Sequence, residues 1–127
     1  MSNESGAKRI LLVGHCGFDG PRLEKELSGR FPDAEVVRIN TEDDLKRECE
    51  AGADLLLVNR EPVGFTTDGM ELVRRLCGPR VGHKVMLVSD HPEAQDEAVK
   101  AGAVRGFGKS EIGQASLTQT VRDAMRQ

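Results

Sequence analysis

Short apolar runs recur along the chain, each of them about as long as a β-strand. They cover residues 9–14, 34–39, 54–59, 84–89 and 104–109. Three of the runs are continuously apolar and lack the polar alternation of a half-exposed strand, a pattern typical of parallel strands that are buried on both faces. The sequence therefore predicts a central sheet with helices covering both of its sides.

The segments between these strands carry the signals of helix starts. Pro21 and Pro92 suit the first position of a helix, and Thr41 and Asp68 suit N-caps. A further helix is predicted close to the C-terminus. Strands that alternate with helices predict an α/β fold, a doubly wound (βα)5 domain whose five parallel strands take the flavodoxin-like order 2-1-3-4-5.

Length and composition narrow the picture further. The 127 residues fit one domain, 1–127, in which we expect residues 1–7 to be a flexible tail. The net charge of −3 comes from interspersed charges, which argues against direct nucleic-acid binding. No apolar run is long enough to cross a membrane. Three cysteines without a CxxC spacing favour a reducing, cytoplasmic setting over disulfides or a zinc site.

Polar residues follow the predicted strands at the edge where a doubly wound sheet forms its functional crevice. Because the carboxyl ends of parallel strands meet at one edge, we expect these residues to lie together. They are Gly14, His15, Cys16, Asn59, Arg60, Ser89, Asp90, His91 and Lys109.

Three segments of the chain resemble the receiver domain of response regulators, the CheY-like domain of two-component signalling. They read ADLLLVNREPVGFTTDGMELVRRL, KVMLVSD and AGAVRGFGKS, and the likeness extends over nearly the whole chain. The resemblance implies a CheY-like fold and a role in phosphorelay signal transduction.

The residues that depart from the family pattern are those with a chemical role in phosphorylation. In the family two acidic residues end strand 1, where this chain has Gly14 and His15, and an aspartate that accepts the phosphoryl group ends strand 3, where it has Asn59. The hydroxyl and the lysine that contact the phosphoryl group are matched by Ser89 and Lys109. The resemblance thus implies an atypical receiver, a pseudo-receiver, whose phosphoacceptor position is held by an amide.

These departures predict the loss of both metal and nucleophile. Mg²⁺ prefers hard oxygen ligands such as carboxylates, and an amide is no nucleophile for a phosphoryl group. We therefore expect no cofactor, no metal and very weak Mg²⁺ binding. Lys109 then needs another partner, for which Asp90 and Asp19 are the candidates. Gly106 stands where the family has an aromatic residue, three positions before the lysine.

A soft-metal or redox site is a competing interpretation, since imidazole and thiolate ligands occur at His15, Cys16 and His91. We do not favour it. Neighbouring residues of a strand point in opposite directions, and His91 directly precedes a predicted helix start.

The function predicted from these observations is a receiver-like signalling module that works through protein–protein interaction. Its expected partners are a histidine kinase, an output domain or another regulator, and a homodimer through the fourth helix, fifth strand and fifth helix is possible. The alternative is a module that binds a small anion or other small ligand through Lys109 and Ser89. No nucleophile elbow, GxGxxG motif or P-loop occurs in the sequence, so we do not expect an enzyme.

Overall fold

A computed structural model describes residues 8–78 and 82–126. The predicted tail, 1–7, lies outside the described residues. The strands are β1 (Arg9–Val13), β2 (Glu35–Ile39), β3 (Leu55–Asn59), β4 (Val85–Val88) and β5 (Val104–Phe107). The helices are α1 (Asp19–Arg30), α2 (Glu42–Ala51), α3 (Gly69–Leu76), α4 (Pro92–Lys100) and α5 (Ala115–Arg126), and a 3-10 turn covers Lys109–Glu111.

The five strands form one parallel sheet in the order β2-β1-β3-β4-β5. This confirms the doubly wound α/β fold predicted from the pattern of apolar runs. Alternate residues of the central strands face opposite sides of the sheet, as the pleat requires. Leu11, Val13, Leu56 and Val58 pack with α2, α3 and α4, while strand residues of the other parity pack with α1 and α5.

Three helix starts lie where the sequence predicted them, and α4 begins at Pro92 as expected. Thr41 caps α2 by accepting a hydrogen bond from the Asp44 amide at 3.0 Å, and Asp68 caps α3 by accepting one from the Glu71 amide at 2.8 Å. These caps satisfy amides that have no partner within the helix.

The predicted start of α1 was wrong by two residues. The helix begins at Asp19, which places Pro21 in its first turn instead of at its first position. The amide of Asp19 donates to Cys16 Sγ at 3.3 Å, and that of Gly20 donates to the Cys16 carbonyl at 2.8 Å. Proline is tolerated at the third position because the amides of the first turn have no helical acceptor.

The predicted fifth strand, 104–109, was too long. β5 ends at Phe107, and Lys109 belongs to the 3-10 turn that follows. The amide of Gly108 donates to Glu111 Oε2 at 3.0 Å, which closes this turn. Lys109 therefore approaches the crevice from a loop instead of from a strand end.

Within residues 8–78 and 82–126, no helix has the length and apolar character that crossing a bilayer requires.

Candidate functional site

The carboxyl ends of β3 and β4 and the turn after β5 enclose a small crevice of about 150 Å³. Six of the nine residues predicted for the crevice line it, and the three that follow β1, Gly14, His15 and Cys16, are not among its lining residues. The lining residues are Asn59, Arg60, Glu61, Val88, Ser89, Asp90, His91 and Lys109.

Asn59 ends β3 with a side chain that is 3% exposed. Its Nδ2 donates to the Gly14 carbonyl at 2.9 Å and to the Glu61 carbonyl at 3.1 Å. Its Oδ1 accepts a longer bond, 3.4 Å, from the Glu61 amide. The position thus uses both N–H groups of the carboxamide, and a carboxylate there would face two carbonyl oxygens with no hydrogen to donate.

Gly14, which follows β1, is in close contact with the loop between β3 and α3. Its φ of +75° lies in the left-handed region, where glycine is favoured. A Cβ atom on this residue would lie 2.4 Å from Pro62 Cβ, and the Gly14 carbonyl accepts a bond from the Val63 amide at 2.8 Å. Pro62 therefore occupies the space into which a side chain at position 14 would extend.

The same loop is held down on its other side by Asn40, which follows β2. Asn40 Nδ2 donates to the carbonyls of His15 and Val63, both at 3.2 Å. A Cβ at Gly64 would lie 1.9 Å from the Asn40 carbonyl oxygen. The loop after β3 is thus packed closely over the ends of β1 and β2.

His15 is buried, with only 2% of its surface exposed. Its Nε2 lies 2.9 Å from the Leu57 carbonyl, so Nε2 carries the hydrogen and Nδ1 is the unprotonated nitrogen. Nδ1 finds no hydrogen-bond partner among the described residues. Burial, joined by the nearby positive charge of Lys109, lowers the pKa of His15 to about 4. The imidazole is therefore neutral at physiological pH.

Lys109 pairs with a residue of α1. Its Nζ lies 3.5 Å from Asp19 Oδ2, and the Asp19 side chain is 11% exposed. Asp90, the other carboxylate expected beside this lysine, forms its hydrogen bonds with a different residue. Asp90 Oδ1 instead accepts from the Ser110 hydroxyl at 2.7 Å, because the 3-10 turn brings Ser110 directly over it.

Ser89 lies just beyond β4 and is 6% exposed. Its Oγ accepts a bond from the His91 amide at 3.1 Å, and its own amide donates to the Phe107 carbonyl at 2.9 Å. The hydroxyl predicted to contact a phosphoryl group is therefore engaged with the backbone at the start of α4.

The ligands proposed for a soft metal are not brought together. His15 binds the Leu57 carbonyl, Cys16 Sγ accepts from the Asp19 amide, and His91 lines the crevice. Across the part of the chain that the structure describes, no group of three or more His, Cys, Asp or Glu side chains is arranged to hold a metal ion.

Sequence reasoning missed two contributors to this edge of the sheet, Pro62 and Gln95. Nothing in the sequence marks Pro62 as the residue that packs on Gly14. Gln95 lies on α4 between the inward-facing residues Ala94 and Ala98 and is 6% exposed. A glutamine next to small residues on a buried helix face is the signal that would have drawn attention to it.

Solved structures with the same architecture are receiver domains and response regulators. A putative response regulator from Chloroflexus aurantiacus J-10-fl superposes with a TM-score of 0.80 at 21% identity, covering 95% of this chain and 99% of that one. The signal receiver domain of a DNA-binding response regulator from Colwellia psychrerythraea 34H gives 0.75 at 19% identity, with 95% and 99% covered. HP1043, an orphan response regulator of H. pylori, gives 0.74 at 20%, with 95% and 98% covered.

The chain therefore has the CheY-like receiver fold over nearly its whole length, as the sequence resemblance implied. No protein-family model matches the sequence, and no curated protein matches it either.

Proposed function

We propose that this protein is a receiver-like signalling module of a two-component or phosphorelay system that acts through protein–protein contacts and is not phosphorylated at residue 59. The receiver fold and the response regulators that share it support the signalling role. Fold alone does not assign a function, so the rest of the proposal depends on the chemistry of the crevice.

The observation that carries the proposal is the bonding of Asn59. Its Nδ2 donates to two backbone carbonyls, those of Gly14 and Glu61, so the side chain at the phosphoacceptor position serves the packing of the β3–α3 loop. A carboxamide supplies no anionic oxygen to attack a phosphoryl group, and phosphoryl transfer requires a placed nucleophile together with charge compensation.

The residues present also do not fit Mg²⁺. This ion takes near-octahedral oxygen coordination and is usually held by one or two carboxylates. Gly14 has no side chain and Pro62 closes the space beside it, while His15 directs Nε2 to a backbone carbonyl. We therefore propose no step that involves a metal, and no enzymatic activity.

Amide NMR spectra with and without Mg²⁺ and beryllofluoride, an acyl-phosphate mimic, test this proposal directly. We expect no saturable shifts at Asn59, Ser89 or Lys109, and no mass increase after incubation with acetyl phosphate or phosphoramidate. Asn59→Asp alone should not restore phosphorylation, because the strand-1 carboxylates are still missing. Saturable shifts in the unaltered protein, or stoichiometric phosphate on residue 59, would show that the site is still a phosphoacceptor.

A second candidate is the binding of a small anion, favoured by the cationic side chains of Arg60 and Lys109 around the crevice. Ser89 adds a hydroxyl. Against it, Lys109 already pairs with Asp19, and Glu61 and Asp90 also line the space. A saturable thermal shift with phosphate or sulfate that disappears in Lys109→Ala would support this candidate over the interaction module.

For the partner surface we propose the face formed by α4, β5 and α5, which would bind a kinase, an output domain, another regulator or a second copy of the chain. The Asp96–Arg105 ion pair joins α4 to β5 on this face. The net charge of −3 makes nucleic acid a poor partner, and we place the module in the cytoplasm away from membranes. Sedimentation of the protein and of Arg105→Glu tests the homodimer, since only a dimer that uses this face should dissociate in the variant.

A further inference from the structure

The buried side chain of Gln95 forms hydrogen bonds with four backbone groups outside its own helix. Its Nε2 lies 2.9 Å from the Leu87 carbonyl, 3.1 Å from the Ser89 carbonyl and 3.4 Å from the Phe107 carbonyl. Its Oε1 accepts a bond from the Gly106 amide at 2.9 Å. One side chain of α4 therefore contacts backbone groups of both β4 and β5 and of the residue that follows β4.

These backbone groups need a partner because the β4–β5 ladder is irregular. Met86 pairs with Val104 and Val88 pairs with Phe107, so three residues of β4 span four of β5, and one residue of β5 is extra. Such a bulge leaves part of the ladder unpaired. Gly106 lies in the bulge, and a Cβ there would lie 2.1 Å from the Leu87 carbonyl oxygen. The absence of a side chain at 106 allows the close approach, and Gln95 satisfies the Gly106 amide.

Within the described part of the chain, helix α4 buries only small apolar side chains against the sheet. The apolar side chains that it buries are those of Ala94 and Ala98, which contribute one methyl group each. By comparison, α3 buries Leu72, Val73 and Leu76. Since apolar burial scales with the area removed from water, the carboxamide of Gln95 accounts for an unusually large share of the attachment of α4.

The ion pairs on this helix are exposed and therefore weak substitutes. Asp96 pairs with Arg105 of β5, and both side chains are more than half exposed. Glu97 pairs with Arg74 of α3, with both about half exposed. Exposed pairs of this kind contribute little to stability, so they cannot replace the buried hydrogen bonds of Gln95.

We propose that Gln95 is the positioning residue that fastens α4 to the β4–β5 bulge and thereby holds the α4–β5 face in one conformation, whatever occupies the crevice. The inference rests on the proposed function only in taking that face as the partner-binding surface. The fastening itself concerns hydrogen bonds that can be measured without a partner, a metal or a phosphodonor.

Amide hydrogen exchange in Gln95→Met provides the test. Methionine keeps the length of the side chain but neither donates nor accepts a strong hydrogen bond. We expect the Gly106 amide and the amides of α4 to exchange roughly tenfold faster or more, because their local opening loses this attachment. The amides of Leu11 and Val58, in the centre of the sheet, should exchange only through global unfolding, and should accelerate no more than the loss of stability measured by urea unfolding requires.

Gln95→Glu separates the two halves of the carboxamide. It retains an acceptor for the Gly106 amide but turns a carboxylate toward three carbonyl oxygens, so at neutral pH α4 should be displaced at least as much as in Gln95→Met. The matched control is Gln114→Met, since Gln114 is exposed and donates a single bond to the Ser110 carbonyl. The control should leave the Gly106 amide unchanged.

The pattern of exchange decides between positioning and a general loss of stability. If the Gly106 and α4 amides exchange as slowly as those of Leu11 and Val58, with the same urea dependence, α4 has no separate opening and Gln95 only stabilises the domain as a whole. Unchanged Gly106 exchange in both variants would mean that Gln95 fastens nothing. Either result overturns the inference. Neither bears on whether residue 59 is phosphorylated, so failure here and failure of the proposed function remain distinguishable.

Discussion

Two buried carboxamides lie at the carboxyl edge of the sheet, one on each side of the crevice. Asn59, 3% exposed, holds the loop after β3 against the end of β1, and Gln95, 6% exposed, holds α4 against β4 and β5. Asn59 belongs to a strand, and one of its partners is only two residues away. Gln95 comes from a helix and reaches two strands.

The difference shows how the same chemical group serves two purposes. At Asn59 the backbone supplies two strong acceptors and only a long contact from a donor, so the position selects for N–H groups and against negative charge. At Gln95 the backbone supplies both acceptors and a good donor, so the position selects for a whole carboxamide. The bonding between β1 and β3 thus requires a donor at position 59, whereas the bonding between β4 and β5 requires both a donor and an acceptor at position 95.

The largest effect should come from Asn59→Asp, which disrupts the hydrogen bonds that hold the loop after β3 against the end of β1. A buried carboxylate facing the Gly14 and Glu61 carbonyls loses two donors and gains an uncompensated charge, and we expect the free energy of unfolding at pH 7 to fall by roughly 4 kcal/mol. Urea unfolding measures it. Asn59→Ala, which removes the bonds without adding a charge, should lose less; equal losses would show that charge is unimportant at this position.

Gly14→Ala tests whether the close contact with Pro62 also constrains the packing of the loop after β3 on the end of β1. The added Cβ meets Pro62 Cβ at 2.4 Å and the φ is +75°, so strain and overpacking together should cost roughly 3 kcal/mol in urea unfolding. Gly17→Ala is the control, since a Cβ there has nothing within 4 Å. Equal stability of the two variants would mean that the loop moves aside at little cost.

His15 should make the free energy of unfolding depend on pH. Its pKa is lowered from 6.5 to about 4 by burial, so between these values the unfolded chain binds a proton that the folded chain does not. The stability that the neutral imidazole contributes is fully present above pH 6.5. It is lost as the pH falls toward 4, by at most about 3 kcal/mol.

Urea unfolding of the protein and of His15→Gln from pH 7 to pH 4 isolates this contribution. Glutamine can donate to the Leu57 carbonyl but does not titrate in this range. We expect the stability of the unaltered protein to fall relative to the variant as the pH is lowered. Parallel curves would mean that His15 binds its proton equally well in the folded and unfolded chains.

A smaller effect is expected for Asp19→Asn, which removes the ion pair joining α1 to the turn after β5. Lys109 is partly exposed, so the loss should be about 1 kcal/mol, including the favourable interaction of an acidic side chain with the first turn of a helix. Glu26→Gln, which breaks an i,i+4 pair with the exposed Arg30, should cost about 0.3 kcal/mol. A larger effect at Glu26 than at Asp19 would contradict this ranking.

The fold could be read from the sequence because its determinants are local and repeated. Continuous apolar runs such as 54–59 predicted strands buried on both faces, and caps such as Thr41 and Asp68 predicted where helices begin. The position of Asn59 at the end of β3, and of Ser89 just after β4, followed from the same pattern, since parallel strands bring their carboxyl ends to one edge.

The partners of the polar groups could not be read in this way. Asp90 was the first candidate for the partner of Lys109 and Asp19 the second, and only the start of α1 and the 3-10 turn after β5 fixed where each carboxylate points. The sequence by itself therefore determined the sheet, its order and the residues at its edge. Only the tertiary structure decided that Pro62 fills the space beside Gly14 and that Gln95 bonds the β4–β5 bulge, because these contacts join segments whose relative positions no local pattern specifies.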